Sequence, residues 1–204
     1  SFGGVDTLGG GNGDDTLEGG TGNDLLLGGS GSDTYVWTPG DGSDDISDQS
    51  MSASDVDTLD LRGVVPGNVY LYRVNGSTDL IIKVTLGGVS SYLEIFDQYS
   101  GVAHDKGIEQ ILFADGTSWG ITEILDKTVA AGHASNADAL VGTSMRDNLM
   151  GRGGNDTLDA GSANDTLNGG TGADILKGGD GSDRYIWNRG DGYDTINDGA
   201  DKPL

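Results

Sequence analysis

Apolar side chains recur along this chain with a period of nine. Leu8, Leu17, Leu26 and Tyr35 mark a first stretch, and Leu149, Leu158, Leu167, Leu176 and Tyr185 mark a second. Two residues before each stands an aspartate: Asp6, Asp15, Asp24 and Asp33, then Asp147, Asp156, Asp165, Asp174 and Asp183. Glycine or another small residue fills most places between, and residues 10–15, 19–24 and 28–33 spell G-G-x-G-x-D in full. The T-L-x segments suit short strands with one inward side chain. The six glycine-rich residues accept φ > 0 and form turns. Strand, turn, strand, turn closes a coil of two nonapeptides, and coils stack as parallel strands.

A second, longer self-similarity joins the two stretches. Residues 31–46, GSDTYVWTPGDGSDDI, match residues 181–196, GSDRYIWNRGDGYDTI. The expected organisation is therefore a β-roll block over 1–48, a spacer over 49–133, a second block over 134–198, and the start of another spacer over 199–204. The spacer has a different pattern. Val69-Tyr-Leu-Tyr-Arg, Asp79-Leu-Ile-Ile-Lys-Val-Thr, Tyr92-Leu-Glu-Ile-Phe and Ile108-Glu-Gln-Ile-Leu-Phe read as strands, with a turn at Asn75-Gly76. Ile121 to Val129 suits a short helix or a strand. The fold class expected is all-β: parallel β-rolls flanking a β-rich spacer that caps the open end of the first roll.

Charge turns this pattern into chemistry. The formal net charge is −22, and among 33 acidic residues only Glu18, Glu94, Glu109 and Glu123 are glutamate. Short aspartates suit a tight loop that must aim its oxygens. Stacking sets the aspartate of one repeat beside the aspartate two repeats later, and such like charges repel unless a cation lies between them. Carboxylates with glycine carbonyls make a hard, all-oxygen shell of six to eight ligands, the preference of Ca²⁺ rather than Zn²⁺ or Mg²⁺. The acidity excludes a nucleic-acid footprint and binding to an anionic membrane surface by this segment. Cysteine is absent, so neither disulfides nor thiol chemistry operate, and a metal can take the place of covalent staples. No apolar run is long enough to span a bilayer. The chain starts inside a repeat and stops abruptly, which reads as a monomeric piece of a longer protein.

The repeats resemble the RTX family, secreted bacterial proteins with haemolysin-type calcium-binding repeats. The spacer, through Asp79-Leu-Ile-Ile and Ile108-Glu-Gln-Ile-Leu-Phe-Ala-Asp-Gly-Thr-Ser-Trp119, is similar to the region that accompanies such repeats. The resemblance implies roughly five to eight calcium ions, folding on calcium after export by type I secretion, and the ligand sets. In each set one loop gives the carbonyls of its second and fourth positions and its aspartate. The loop two repeats on gives the carbonyls of its first and third positions and its aspartate. One site then takes Gly11, Gly13 and Asp15 with Gly28, Ser30 and Asp33, and another Gly20, Gly22 and Asp24 with Pro39, Asp41 and Asp44. In the second block Arg152, Gly154 and Asp156 face Gly169, Thr171 and Asp174. Gly161, Ala163 and Asp165 face Gly178, Asp180 and Asp183. Gly170, Gly172 and Asp174 face Arg189, Asp191 and Asp194. Asp147 would join Asp165 in a further site, with Met145 in a glycine's place. Asp138 reads as a cap rather than a ligand, and Ala163 requires a negative φ.

Bland readings cover the remaining candidates. Trp37 and Trp187 are expected to pack at the edges of the rolls. His104 and His133 have no neighbouring nucleophile or third ligand, and no serine sits in an elbow motif, so no catalytic site is expected. Asp14-Asp15 and Asp44-Asp45 look like glycosidase dyads, but metal ligation explains them more simply. Two function classes remain: a calcium-dependent folding module of a larger secreted protein, and an adhesin-type module whose spacer or roll face binds a glycan or protein.

Overall fold

Two nonapeptides per coil dictate a stacking interval of 18 residues, and the hydrogen bonds between coils follow it. The structure is a computed structural model that describes residues 2–49, 52, 54–75, 77–99, 107–132 and 135–199. It is a β-solenoid with a single α-helix among the described residues. The chain divides into two units, Ser1–Leu71 with Thr78–Ile124, and Tyr72–Ser77 with Leu125–Leu204.

In the first unit, parallel strands build two ladders. Thr7–Asn12, Leu25–Ser30, Asp45–Ser47 and Val89–Ile95 follow one another in the first, bringing Leu8, Leu26, Ile46 and Ile95 into line. Thr16–Leu17, Thr34–Trp37, Thr58–Leu61 and Gln110–Phe113 form the second, aligning Leu17, Tyr35, Leu59 and Ile111. All of these apolar residues but Leu8, which is half-buried, are buried. Spacer strands thus continue both ladders of the roll as further layers. The interval lengthens on the way, to 20 residues at Asp24 and Asp44 and to 24 at Asp33 and Asp57.

The spacer strands differ in detail from the sequence reading. Leu80–Leu86 and Val89–Ile95 form an antiparallel hairpin, and its turn is Gly87-Gly88, with φ of 58° and 83°. Two successive positive φ values are what the right-handed twist of a hairpin favours and what glycine supplies without strain. Gly76 of the expected Asn75-Gly76 turn lies outside the described residues, as do His104, His133 and residues 200–204. Residues 121–127 form the helix Ile121–Lys127, with Glu123 in its first turn and Lys127 in its last, and Val129–Ala131 follows as a strand.

In the second unit one sheet runs Ala139–Val141, Thr157–Ser162, Ile175–Asp180, Thr195–Asn197. The other runs from Tyr72 and Arg73 through Val129–Ala131, Asn148–Met150 and Thr166–Asn168 to Arg184–Ile186. Between them lies a single file of core residues, Ala130, Leu140, Leu149, Leu158, Ala160, Leu167 and Leu176, with Tyr185 packed on its end. A buried Leu contributes about 1.5–3 kcal/mol, and one leucine per nonapeptide is a thin core for a chain that must also order glycine-rich turns. The turns must therefore contribute stability themselves.

Candidate metal centres

Each turn is tied to the next coil through its aspartate. The backbone N–H of Asp15 donates to Asp33 Oδ1 at 2.9 Å, and that of Asp24 to Asp44 Oδ1 at 2.9 Å. In the second unit the same bond joins Asp138 to Asp156, Asp147 to Asp165, Asp156 to Asp174, Asp165 to Asp183 and Asp174 to Asp194, at 2.8–3.1 Å. The residue before the aspartate runs a second thread in the opposite sense. Oδ1 of Asp14, Asn23, Asn155 and Asn164 accepts the N–H of Ser32, Ser43, Ala173 and Ser182 in the following coil. That second thread was missed in the sequence, although the recurring N-D pair signals it.

The threads bring together the loops that the ligand sets pair. Gly13 N–H donates to the Ser30 carbonyl at 2.7 Å, Gly22 to Asp41 at 2.6 Å, Gly154 to Thr171 at 3.0 Å and Gly172 to Asp191 at 2.6 Å. Gly161 and Ser162 lie in register with Gly179 and Asp180. Carbonyls of the earlier loop point at the later one. Those of Gly11, Gly22, Gly154 and Gly161 approach Gly29, Gly42, Gly172 and Gly179 so closely that a Cβ there would sit only 1.7–2.1 Å away. Pro39 and Arg189 lie in exposed turns, where the side chains of Asp41 and Asp191 accept the N–H of Thr38 and Asn188 at 2.6 Å.

Oδ1 of Asp24, Asp33, Asp156, Asp165, Asp174 and Asp183 is committed to the thread, so the second oxygen is the informative one. Oδ2 of Asp15, Asp24, Asp33, Asp156, Asp165, Asp174 and Asp183 is buried without a hydrogen-bond partner. A buried, unpaired carboxylate oxygen costs several kcal/mol, so seven of them in phase demand a partner of another kind. A divalent cation is such a partner, and the donor set around it, carboxylate and backbone carbonyl, is the set that calcium takes. The residues present therefore fit the ion. The same oxygen explains the first glycine of the motif: a Cβ on Gly28 would lie 2.4 Å from Asp33 Oδ2.

The electrostatics carry the same demand. Burial pushes Asp165 up to about 7 and Asp44 up to about 6, with the neighbouring carboxylates adding to the effect. Burial likewise raises Asp33 and Asp174. Carboxyl groups displaced in this direction lack enough nearby positive charge to offset their burial; Arg146 lowers Asp165 without cancelling it.

Several positions depart from the expectations. Ala163 has a φ of 86°, not the negative value required of it, and Arg152 has a φ of 76°. Both are held left-handed by the coils on either side, a strain of about 1–2 kcal/mol each. Met145 does not take up a glycine's positive φ; its side chain is buried instead. The turn there closes on itself, with Thr143 N–H and Oγ1 donating to Asp147 Oδ2 at 2.5 and 3.0 Å. Asp147 Oδ1 receives Arg73 Nη2 at 2.8 Å, so both oxygens of this candidate ligand are held by protein donors. Trp37 is buried as expected, whereas Trp187 is 60% exposed. Among the described residues one further cluster stands out that the sequence reading did not single out: Asp33, Asp48 and Asp57, all buried, with one ligand oxygen of each within 4.8 Å of the others.

No helix among the described residues is long and apolar enough to cross a membrane. No curated protein matches the chain. Residues 1–35, 141–176 and 159–196 match the RTX calcium-binding nonapeptide repeat, in its four-copy form. The matched segments are the ones in which the carboxylate threads and the unpartnered oxygens recur. The two nonapeptide blocks of this β-solenoid carry RTX (haemolysin-type) calcium-binding repeats.

Proposed function

We propose that this module is part of a secreted bacterial protein, stays unfolded at the low calcium of the cytosol, and folds on calcium after export by type I secretion. Seven unpartnered Oδ2 atoms in the turns carry the reading. Without an ion, the stacked carboxylates repel through a low-dielectric interior; with one, each pair of turns is clamped. The ligand sets stated above, from Gly11 to Asp44 and from Arg152 to Asp194, are the proposed shells, with Asp147 left to Arg73. Five ions held this way would cancel about ten charges, close to half of the net −22. Extracellular calcium modules bind at about 0.1–1 mM. Far-UV circular dichroism in chelator and in millimolar calcium tests the proposal: β-structure is expected only with calcium, and a folded spectrum in chelator would overturn it.

A second reading, an adhesin-type module, rests on a groove of about 640 Å³ on the second unit, lined by Asp126, Arg146, Asn148, Asn164, Asn168 and Arg184. Such polar, hydrogen-bonding walls suit a glycan. Binding on a glycan array that is lost in Asn148→Ala and Asn168→Ala supports this reading; an empty array removes it.

A further inference from the structure

The three carboxylates of Asp33, Asp48 and Asp57 lie where the nonapeptide pattern of the first roll ends. Asp33 closes the last complete motif, Asp48 follows strand Asp45–Ser47, and Asp57 precedes strand Thr58–Leu61. All three are at most 2% exposed. Asp33 N–H donates to Asp57 Oδ1 at 2.7 Å, which continues the carboxylate thread across the 24-residue interval. Asp57 N–H in turn donates to Glu109 Oε2 at 2.8 Å. Tyr35 OH, fully buried, donates to Asp48 Oδ1 at 3.1 Å.

Asp33 Oδ1 is used by the N–H of Asp15, while its Oδ2 has no partner and is buried. That oxygen is aimed into the cluster: around the Cα of Gly28, a Cβ would meet Tyr35 OH at 2.0 Å, Asp33 Oδ2 at 2.4 Å and Asp48 Oδ1 at 2.8 Å. The strongest charges acting on Asp57 are Asp48 and Glu109, both negative. We infer that Asp33, Asp48 and Asp57 form a calcium site of their own, assembled from the end of the roll and the spacer rather than from two nonapeptide turns, with Tyr35 Oη as a neutral fourth oxygen. It rests on the reading that the roll binds calcium and shares Asp33 with it.

Two features distinguish this site from those of the turns. It offers three carboxylates where a pair of turns offers two, and higher ligand charge tightens calcium binding. It also joins segments that no nine-residue period connects, so an ion here locks the roll to its spacer. Part of the arrangement is built a second time. Tyr185 OH donates to Asp198 Oδ1, and Asp183 Oδ2 is again unpartnered and close to Gly178, beside Tyr185 OH.

The test uses the full chain and counts ions by native mass spectrometry, with calorimetry for their affinity. Asp48→Asn and Asp57→Asn, alone and together, replace no nonapeptide ligand, and the amide oxygen at position 57 can still accept the Asp33 N–H. The double variant should bind one calcium fewer and lose the tightest class of site, while gaining β-structure in millimolar calcium like the parent. Tyr35→Phe, which keeps the ring in the core, should weaken the same single ion by about tenfold. Unchanged ion count and affinity in these variants would overturn the inference. A parent chain that binds no calcium fails the reading of the rolls instead, so the two failures are distinguishable. If the double variant does not fold, Tyr35→Phe and Asp48→Asn decide alone: an unaltered tightest site counts against the proposal.

Discussion

Arg73 is the residue whose replacement tests the charge logic most directly. Its guanidinium donates to Asp147 Oδ1 at 2.8 Å and to the Val141 carbonyl at 3.2 Å. The two side chains are 3% and 2% exposed, so the pair is desolvated and salt will not screen it. Two elements of the same unit meet here, the strand end at Arg73 and the first turn of the second block. Arg73→Met preserves most of the packing volume but leaves a buried carboxylate whose remaining partners are the donors of Thr143. Removing one member of a buried pair costs about 3–5 kcal/mol. That is roughly a hundred- to several-thousand-fold in the folding equilibrium of this unit. Urea unfolding at one fixed free-calcium level, followed by circular dichroism, measures it. Adding Asp147→Asn removes the stranded charge and should recover most of the loss, which makes the pair a double-mutant cycle. A loss under about 1 kcal/mol for Arg73→Met, the range of an exposed pair, would refute the reasoning. So would a double variant that is weaker still.

The remaining predictions follow from the same contacts. Asp174→Ala removes a thread acceptor and a carboxylate shared by two proposed sites, so it should raise the calcium midpoint of folding by roughly 1–3 kcal/mol of linked stability; Asp138→Ala should shift it less in the same titration. Ala163→Gly relieves a left-handed alanine and should stabilise the calcium-bound form by about 1 kcal/mol after glycine's own entropy is subtracted, read as a rise in thermal midpoint. In chelator, the raised pKa values of Asp44 and Asp165 mean that the compact form binds protons more tightly than the unfolded chain. Their stabilising contribution is full below the unfolded value of 3.8 and lost as pH rises through about 6 to about 7, so metal-free compaction should be favoured by acid and vanish by neutral pH in circular dichroism. Trp37→Ala should cost about 3–5 kcal/mol and Trp187→Ala within about 0.5 kcal/mol, because the two are 2% and 60% exposed; equal losses in denaturant would count against the difference between the block ends.

What the sequence disclosed and what it hid divide along a physical line. Leu149, Leu158, Leu167 and Leu176 could be placed inside, and the aspartates in stacked turns, because a nonapeptide interacts only with its neighbours and its period fixes them. The spacer has no such period. Ile46 pairs with Ile95 and Leu59 with Ile111, partners separated by whole segments of chain, and nothing local specifies them. Asp48 and Asp57 escaped for that reason, as did the reach of Arg73 to Asp147. Ala163 was misjudged on different grounds. Local propensity argues for a negative φ, yet the carbonyl of Ala163 must face Gly181 of the next coil, where a Cβ would lie 1.7 Å away, and stacking prevails over propensity. Trp187 was misplaced because its sequence context copies that of Trp37. Trp37 pairs with Leu61 of a further strand, whereas Arg184–Ile186 is the last strand of its sheet among the described residues.

The order in which such a roll assembles is constrained by where its charge is already balanced. A coil contributes one leucine and one carboxylate per turn, and the thread from Asp N–H to Asp Oδ1 exists only once two coils are stacked, so no coil is stable singly. Growth needs a layer that holds without first paying the full repulsion between carboxylates. In the second unit that layer is at the start of the block, where Arg73 neutralises Asp147 with no ion, and where the Asn75 side chain donates to the Ala139 carbonyl and accepts the N–H of Val141, covering the free edge of that strand. In the first unit no such cation is in place among the described residues, and the corresponding layer is at the end of the block. There the strands Thr58–Leu61 and Gln110–Phe113 extend the ladder with the buried Leu59, Leu61, Ile111 and Phe113, and the ion proposed at Asp33, Asp48 and Asp57 would supply the balance. Within each unit the layer best able to form first is therefore the one built with spacer residues. Calcium in the nonapeptide turns then extends a stack already begun, and each added ion meets a loop whose partner is in place.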